Sequence, residues 1–140
     1  MNIRICVPIA AKKVSKMVPL IKEAEAMGAD LIEIRLDYLL NLKGIEKIVK
    51  STSLPLIATN RQYEQGGQRL QDENRRVRAL IKAANLGFNY IDIELTTPAL
   101  ESVVDELREN GMRPIISFHD FKRTPDMLEM EKMMQAQIEA

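Results

Sequence analysis

Tryptophan is absent, cysteine and histidine occur once each, and only three tyrosines and three phenylalanines appear in 140 residues. The single thiol, Cys6, rules out a disulfide within the chain and suits a reducing compartment. Cys6 lies in an apolar run, so a buried, inert thiol is expected rather than a nucleophile. An excess of charge is also missing: twenty Lys and Arg balance twenty Asp and Glu. With so few aromatics and no net charge, nothing marks nucleic acid or an anionic membrane as a partner. Residues 72–78 are locally basic, but mixed charge on a helix reads as a solvated face. No stretch approaches the ~18 apolar residues of a membrane span. Met1-Asn2-Ile3-Arg4 runs straight into a strand-like segment, so no signal peptide is expected and the cytoplasm is the expected location. One histidine among scattered carboxylates has no metal-ligand spacing. The first strand is followed by no glycine fingerprint, which argues against a dinucleotide-binding sheet.

What is present is an alternation. Ile3-Arg4-Ile5-Cys6-Val7-Pro8-Ile9 is short, apolar and β-branched, and reads as a buried strand. Met17, Leu20, Ile21, Ala24 and Met27 then recur at helical spacing, with Ser15 as the expected N-cap and Gly28 as the stop. Leu31-Ile32-Glu33-Ile34-Arg35-Leu36-Asp37 is a second strand, followed by a short helix over 42–50. Leu56-Ile57-Ala58-Thr59 is a third. After a loop with Gly66-Gly67, a helix from about Asp72 turns Val77, Leu80, Ile81 and Ala84 inward. Tyr90-Ile91-Asp92-Ile93-Glu94-Leu95 is a fourth strand. Thr97-Pro98 offers an N-cap and a first-turn proline to the next helix. Ile115-Ile116-Ser117-Phe118 is a fifth strand, and 126–140 reads as a helix whose methionines form a packing surface. Strands alternating with helices at this spacing predict one domain over 1–140, built from parallel βα units.

Side chains alternate along a strand, so residues i, i+2 and i+4 share a face. Glu33, Arg35 and Asp37 therefore project together from the second strand, and Thr59 and Arg61 from the end of the third. Asp92 and Glu94 do the same on the fourth, Ser117 and His119 on the fifth. In a parallel barrel the inward residues at the carboxyl ends of the strands build the active site. Unpaired ions are costly in an apolar sheet, so these groups pair with one another or serve a ligand. An ion-pair network accounts for any one strand; four strands with ionisable groups at equivalent ends favour a functional mouth. His119, sharing that rim with Glu33, Arg35 and Arg61, suits a general base near neutral pH.

These motifs resemble a known family. Glu33-Ile34-Arg35-Leu36-Asp37, Thr59-Asn60-Arg61 with Gly66-Gly67, Tyr90-Ile91-Asp92-Ile93-Glu94-Leu95, and Ser117-Phe118-His119-Asp120-Phe121 with Thr124-Pro125 look like the successive motifs of type I 3-dehydroquinate dehydratases. Each is weak alone; their order at four consecutive strand ends makes the joint match specific. The resemblance implies a TIM-type (β/α)8 barrel, of which this chain carries about five of eight units. It also implies removal of water from 3-dehydroquinate to give 3-dehydroshikimate in the shikimate pathway, without metal or organic cofactor. In that family a lysine forms an imine with the ketone, while a histidine takes the neighbouring C–H proton and then protonates the departing hydroxyl. His119 matches that histidine; Glu33, Arg35 and Arg61 match substrate-holding residues; Asp92 and Glu94 support them.

Two departures stand out. The family usually has a glutamate directly before the paired glycines, orienting the histidine; here Gln65 occupies that place and Glu64 lies one residue earlier, so either could serve. A whole barrel typically needs about 250 residues, and the Schiff-base lysine lies on its sixth strand, absent from this chain. Lys122 sits in a charged loop without a desolvating pocket and is not expected to replace that amine. Alone, the chain is expected to be inactive and to associate with itself or with a complementing C-terminal segment. The competing reading is a non-catalytic half-barrel that binds a small polyol acid or acts as an assembly module. A nucleic-acid binder using 75–78 ranks last.

Overall fold

The computed structural model describes residues 3–140. The reading of the chain's first residues as leaderless falls partly on Met1 and Asn2, which lie outside them. Five strands, β1 (Cys6–Ile9), β2 (Leu31–Arg35), β3 (Leu56–Thr59), β4 (Tyr90–Glu94) and β5 (Arg113–Ser117), form one parallel sheet in sequence order. Helices α1 (Val14–Ala26), α2 (Glu46–Ser51), α3 (Glu73–Asn85) and α4 (Leu100–Glu109) connect successive strands, and α5 (Met127–Glu139) follows the last. Neighbouring order with helical crossovers is the arrangement of a TIM-type barrel, and this chain supplies five of its units. No helix among the described residues is long and apolar enough to cross a membrane.

The register separates two faces. Ile9, Ile34, Ala58, Ile91 and Pro114 align across the sheet, with Val7, Ile32 and Leu56 in the row below and Ile93 and Ile116 in the row above; these residues face the helices. There Ile32, Ile34, Ile91 and Ile93 are fully buried in one core with Met17 and Ile21 of α1, Leu80 of α3, and Val104 and Leu107 of α4. At about 1.5–3 kcal/mol for each large apolar side chain, this layer dominates stability. The opposite row, Glu33, Ile57, Tyr90 and Arg113 below Arg35, Thr59, Asp92 and Ile115, faces the concave side.

Several sequence expectations are corrected. Cys6 is exposed, because it lies on the concave face of edge strand β1, where no helix covers it. Neither Ser15 nor Thr97 is an N-cap: α1 begins at Val14 after Lys13, and α4 at Leu100 after Ala99, whose φ is 53°. Thr97 is buried and accepts a hydrogen bond from Arg76 instead. The segment 72–78 is not wholly solvated, since Arg76 lies on the inner face of α3, aligned with Leu80 and Ala83, and is 1% exposed. β2 stops at Arg35, where the chain turns into a 3₁₀ segment, Leu36–Tyr38.

Candidate active site

The polar residues gather at the carboxyl ends of β2 to β5 around a recess of about 300 Å³, lined by Glu33, Arg35, Arg61, Gln65, Asp92 and His119 among others. On the β2 side the 3₁₀ turn folds Asp37 beneath Arg35. Its two carboxylate oxygens take Arg35 Nε at 2.9 Å and Nη2 at 2.8 Å, and Oδ2 also accepts the Gln68 N–H at 3.0 Å. This bidentate pair aims a guanidinium along the rim, and its bonds to Asp37 hold its pKa above the ordinary arginine value. The Glu33 side chain faces the same space and makes no hydrogen bond or ion pair among the described residues.

The β3–β5 side is a continuous charge network. Arg61 Nη1 donates to Ser117 Oγ at 2.6 Å and lies 2.9 Å from Asp92 Oδ1 and 3.1 Å from Glu94 Oε1. Ser117 in turn donates to Asp92 Oδ1 at 2.7 Å. Glu94, fully buried, also takes the Gln62 N–H at 3.0 Å and Arg76 Nη1 at 2.6 Å. Burial pushes the Glu94 carboxyl up, against the opposing pull of Arg76 and Arg61.

His119 follows β5 and borders the recess. Its backbone N–H donates to Gln65 Oε1 at 2.8 Å, and its ring lies nearly parallel to Phe121, with centroids 6.5 Å apart. Its Nδ1 is buried and has no hydrogen-bond partner, and the same is true of Thr59 Oγ1. Burial pushes the imidazole pKa down and Arg61 adds to this, against Asp92 and Glu33. The lowered pKa favours the neutral ring, which borders the recess beside two guanidiniums suited to carboxylate or hydroxyl oxygens.

Of the two residues that sequence left open, Gln65 is buried in the recess wall, whereas Glu64 is exposed and borders an outer groove. Lys122 is exposed and borders that same outer groove. The described residues hold no cluster of three His, Cys, Asp or Glu arranged for a metal ion. Sequence reasoning missed Arg76, which joins the network from α3. Its alignment with Leu80 and Ala83 on the apolar stripe, three residues after Glu73, was the available signal.

Residues 5–140 match the family model described as type I 3-dehydroquinase. The chain is 36% identical over 135 residues to a chloroplastic bifunctional 3-dehydroquinate dehydratase/shikimate dehydrogenase of Arabidopsis thaliana, covering 93% of this chain and 22% of that one. It is 35% identical over 128 residues to a 3-dehydroquinate dehydratase of Thermococcus onnurineus, covering 91% and 58%. Among solved structures, the type I 3-dehydroquinate dehydratase of Clostridium difficile with covalently modified comenic acid superposes with a TM-score of 0.83 at 27% identity, covering 95% of this chain and 58% of that one. The Geobacillus kaustophilus protein, at 22% identity and a TM-score of 0.87, shares the fold. The chain therefore spans little more than half the length of the single-function relatives it matches. A five-unit parallel sheet whose strand ends converge on one polar mouth, matched by that family model along nearly all of its length, makes this chain a member of the type I 3-dehydroquinase family.

Proposed function

We propose that residues 1–140 form one domain, the N-terminal portion of a (β/α)8 barrel. This domain supplies the ligand-holding and proton-transfer half of a 3-dehydroquinate dehydratase of the shikimate pathway, a cytoplasmic carbon–oxygen lyase. In this reading Glu33, Arg35 and Arg61 hold the hydroxyls and ring of the substrate, with Asp92 and Glu94 supporting them. An amine condenses with the ketone and expels water to give an iminium, which acidifies the adjacent C–H. His119 takes that proton; the enamine expels the hydroxyl, and the imidazolium returns the proton so that water leaves. Hydrolysis of the iminium releases the enone and restores the amine. Neither metal nor organic cofactor enters this sequence.

The observation that carries the reading is His119 itself. A desolvated imidazole with an unpartnered Nδ1 borders the same recess as Arg35, Arg61 and the unpaired Glu33. No lysine lines that recess among the described residues. In this reading the amine comes from another βα unit of the barrel.

The test has two parts. Calorimetry with quinate should show binding to the purified chain, and absorbance of the enone product should show no turnover of 3-dehydroquinate. Mixing the chain with the part of the Clostridium difficile relative that it does not match should restore turnover, which His119→Ala should abolish. Turnover by the chain alone, lost in Lys122→Met, would overturn the assignment of the amine elsewhere. A folded mixed barrel that binds quinate but never forms the enone would overturn the catalytic reading.

A further inference from the structure

Arg76 presents five N–H donors, and all five are used. Nε donates to Glu73 Oε2 at 2.8 Å, and Nη2 to Glu73 Oε1 at 2.7 Å and Thr97 Oγ1 at 2.8 Å. Nη1 donates to the Asn60 carbonyl oxygen at 2.8 Å and to Glu94 Oε2 at 2.6 Å. Its side chain is 2% exposed and borders no part of the recess. A guanidinium so deeply buried and so fully paired is held by geometry that lysine, with three donors and no plane, cannot reproduce.

We propose that Arg76 is a positioning residue for ligand capture: acting through Glu94, it fixes the guanidinium of Arg61 in the wall of the recess. Glu94 is the hinge of this arrangement. One of its oxygens takes Arg76, and the other takes Arg61 and the Gln62 N–H. Arg61 from the end of β3, Arg76 and Glu73 from α3, Asp92 from β4 and Glu94 itself make two cations against three carboxylates. A lysine at this position keeps the charge but not the planar fork, so Glu94 Oε2 loses its fixed donor and the carboxylate turns more fully to Arg61. Arg61, drawn harder toward Glu94, is then less able to turn a donor toward an incoming oxygen in the recess. Asn60 ties the same residue to the β3 exit: its carbonyl oxygen accepts from the Arg76 guanidinium, and its side-chain amide donates to the Arg76 carbonyl oxygen at 3.1 Å. The backbone that carries Arg61 is thereby locked to α3 as well.

The ligand side of this inference rests on the reading of the recess as a hydroxy-acid site, so the experiment has one arm that needs no ligand. Side-chain nitrogen spectra of the arginine-labelled chain should show slowly exchanging, separate Nη–H signals for Arg61. In Arg76→Lys these signals should average and exchange faster while the backbone spectrum stays folded. Quinate affinity, measured by calorimetry, should fall about tenfold, the equivalent of ~1.4 kcal/mol. The loss should be much smaller when Arg76→Lys is made on top of Glu94→Gln. Unchanged Arg61 signals in a folded Arg76→Lys chain would overturn the proposal. If that variant does not fold, Glu94→Gln breaks the same link from the other end, and undisturbed Arg61 signals there would overturn it equally. Failure of the wild-type chain to bind quinate would count against the hydroxy-acid reading, while the Arg61 signals would still decide the role of Arg76.

Discussion

The side-chain carbonyl of Gln65 accepts the backbone N–H of His119 at 2.8 Å, and its amide nitrogen donates to Gln62 Oε1 at 3.1 Å and Thr96 Oγ1 at 2.8 Å. One buried amide thus ties the loop after β3 to the loop after β4 and to the end of β5. Because its carbonyl is directed to the backbone, Gln65 sets where the histidine stands without holding the imidazole. Gln65→Ala should leave the His119 N–H without its partner and cost about 1–3 kcal/mol of stability. Urea unfolding measures this, and a loss within the ~0.5 kcal/mol typical of surface changes would contradict it.

The pH behaviour of His119 follows from its surroundings. Burial first, then Arg61, lowers its pKa. The folded chain therefore refuses a proton that the unfolded chain accepts at about 6.5. Between the lowered value and ~6.5 the unfolded state binds more protons, so stability rises with pH across that window. The penalty is complete below the folded pKa and absent above the unfolded one. Proton NMR titration of the ring should give a midpoint below the ordinary histidine value. Arg61→Met should raise that midpoint, because it removes a cation and frees the Asp92 and Glu94 carboxylates. An ordinary midpoint in the wild-type chain, or a fall in the variant, would sink this account.

Much of this architecture was legible in the residues. Five apolar runs between amphipathic stretches became five parallel strands, since the β-branched pattern and the helical stripes agree with one another. The period of two along each strand also set the concave row correctly, from Glu33 to Ser117. What could not be read depends on contacts between elements distant in sequence. Cys6 is exposed because its strand lies at an edge, and apolar composition does not report edges. Arg76 disappears into the core because Glu73, Glu94, Thr97 and Asn60 converge on it from three places in the chain. Thr97 fails as a cap for the same reason: its hydroxyl serves that guanidinium.

The paired glycines invite a comparison of two similar substitutions. Gly66 has φ +88°, and an added Cβ would meet the Phe121 ring at 2.5 and 2.9 Å. Phe121 is 76% exposed and can swing aside, so Gly66→Ala mainly bears the backbone strain of about 1–2 kcal/mol. At Gly67 the added carbon would overlap the backbone carbonyl oxygens of Arg61 and Gln62, which cannot yield without moving the chain beside the recess. Gly67→Ala should therefore destabilise more than Gly66→Ala and should weaken quinate binding more. Thermal unfolding and calorimetry of both variants test the order, and the reverse ranking would show that the loop is looser than this packing implies.

Helix α5 is anchored yet buries none of its residues fully. A reciprocal capping box joins Asp126 and Glu129 at its start, and Gln137 Nε2 donates to the Ile116 carbonyl oxygen at 2.9 Å near its end. The helix is thus held against β5, while Met127, Met130, Met134 and Ile138 form a stripe on its outer flank, between 39% and 70% exposed. Spacings of three, four and four residues align these side chains along one face. An apolar stripe held in place is removed from water most readily by another surface, so the chain should associate as its concentration rises. Met134→Lys with Ile138→Glu should return it to a monomer in sedimentation while leaving helix content unchanged, since exposed positions alter stability little. If the double variant associates as strongly as the wild type, the contact runs through the unpaired edges of β1 and β5 instead, because those edges keep free backbone donors and acceptors whatever α5 displays.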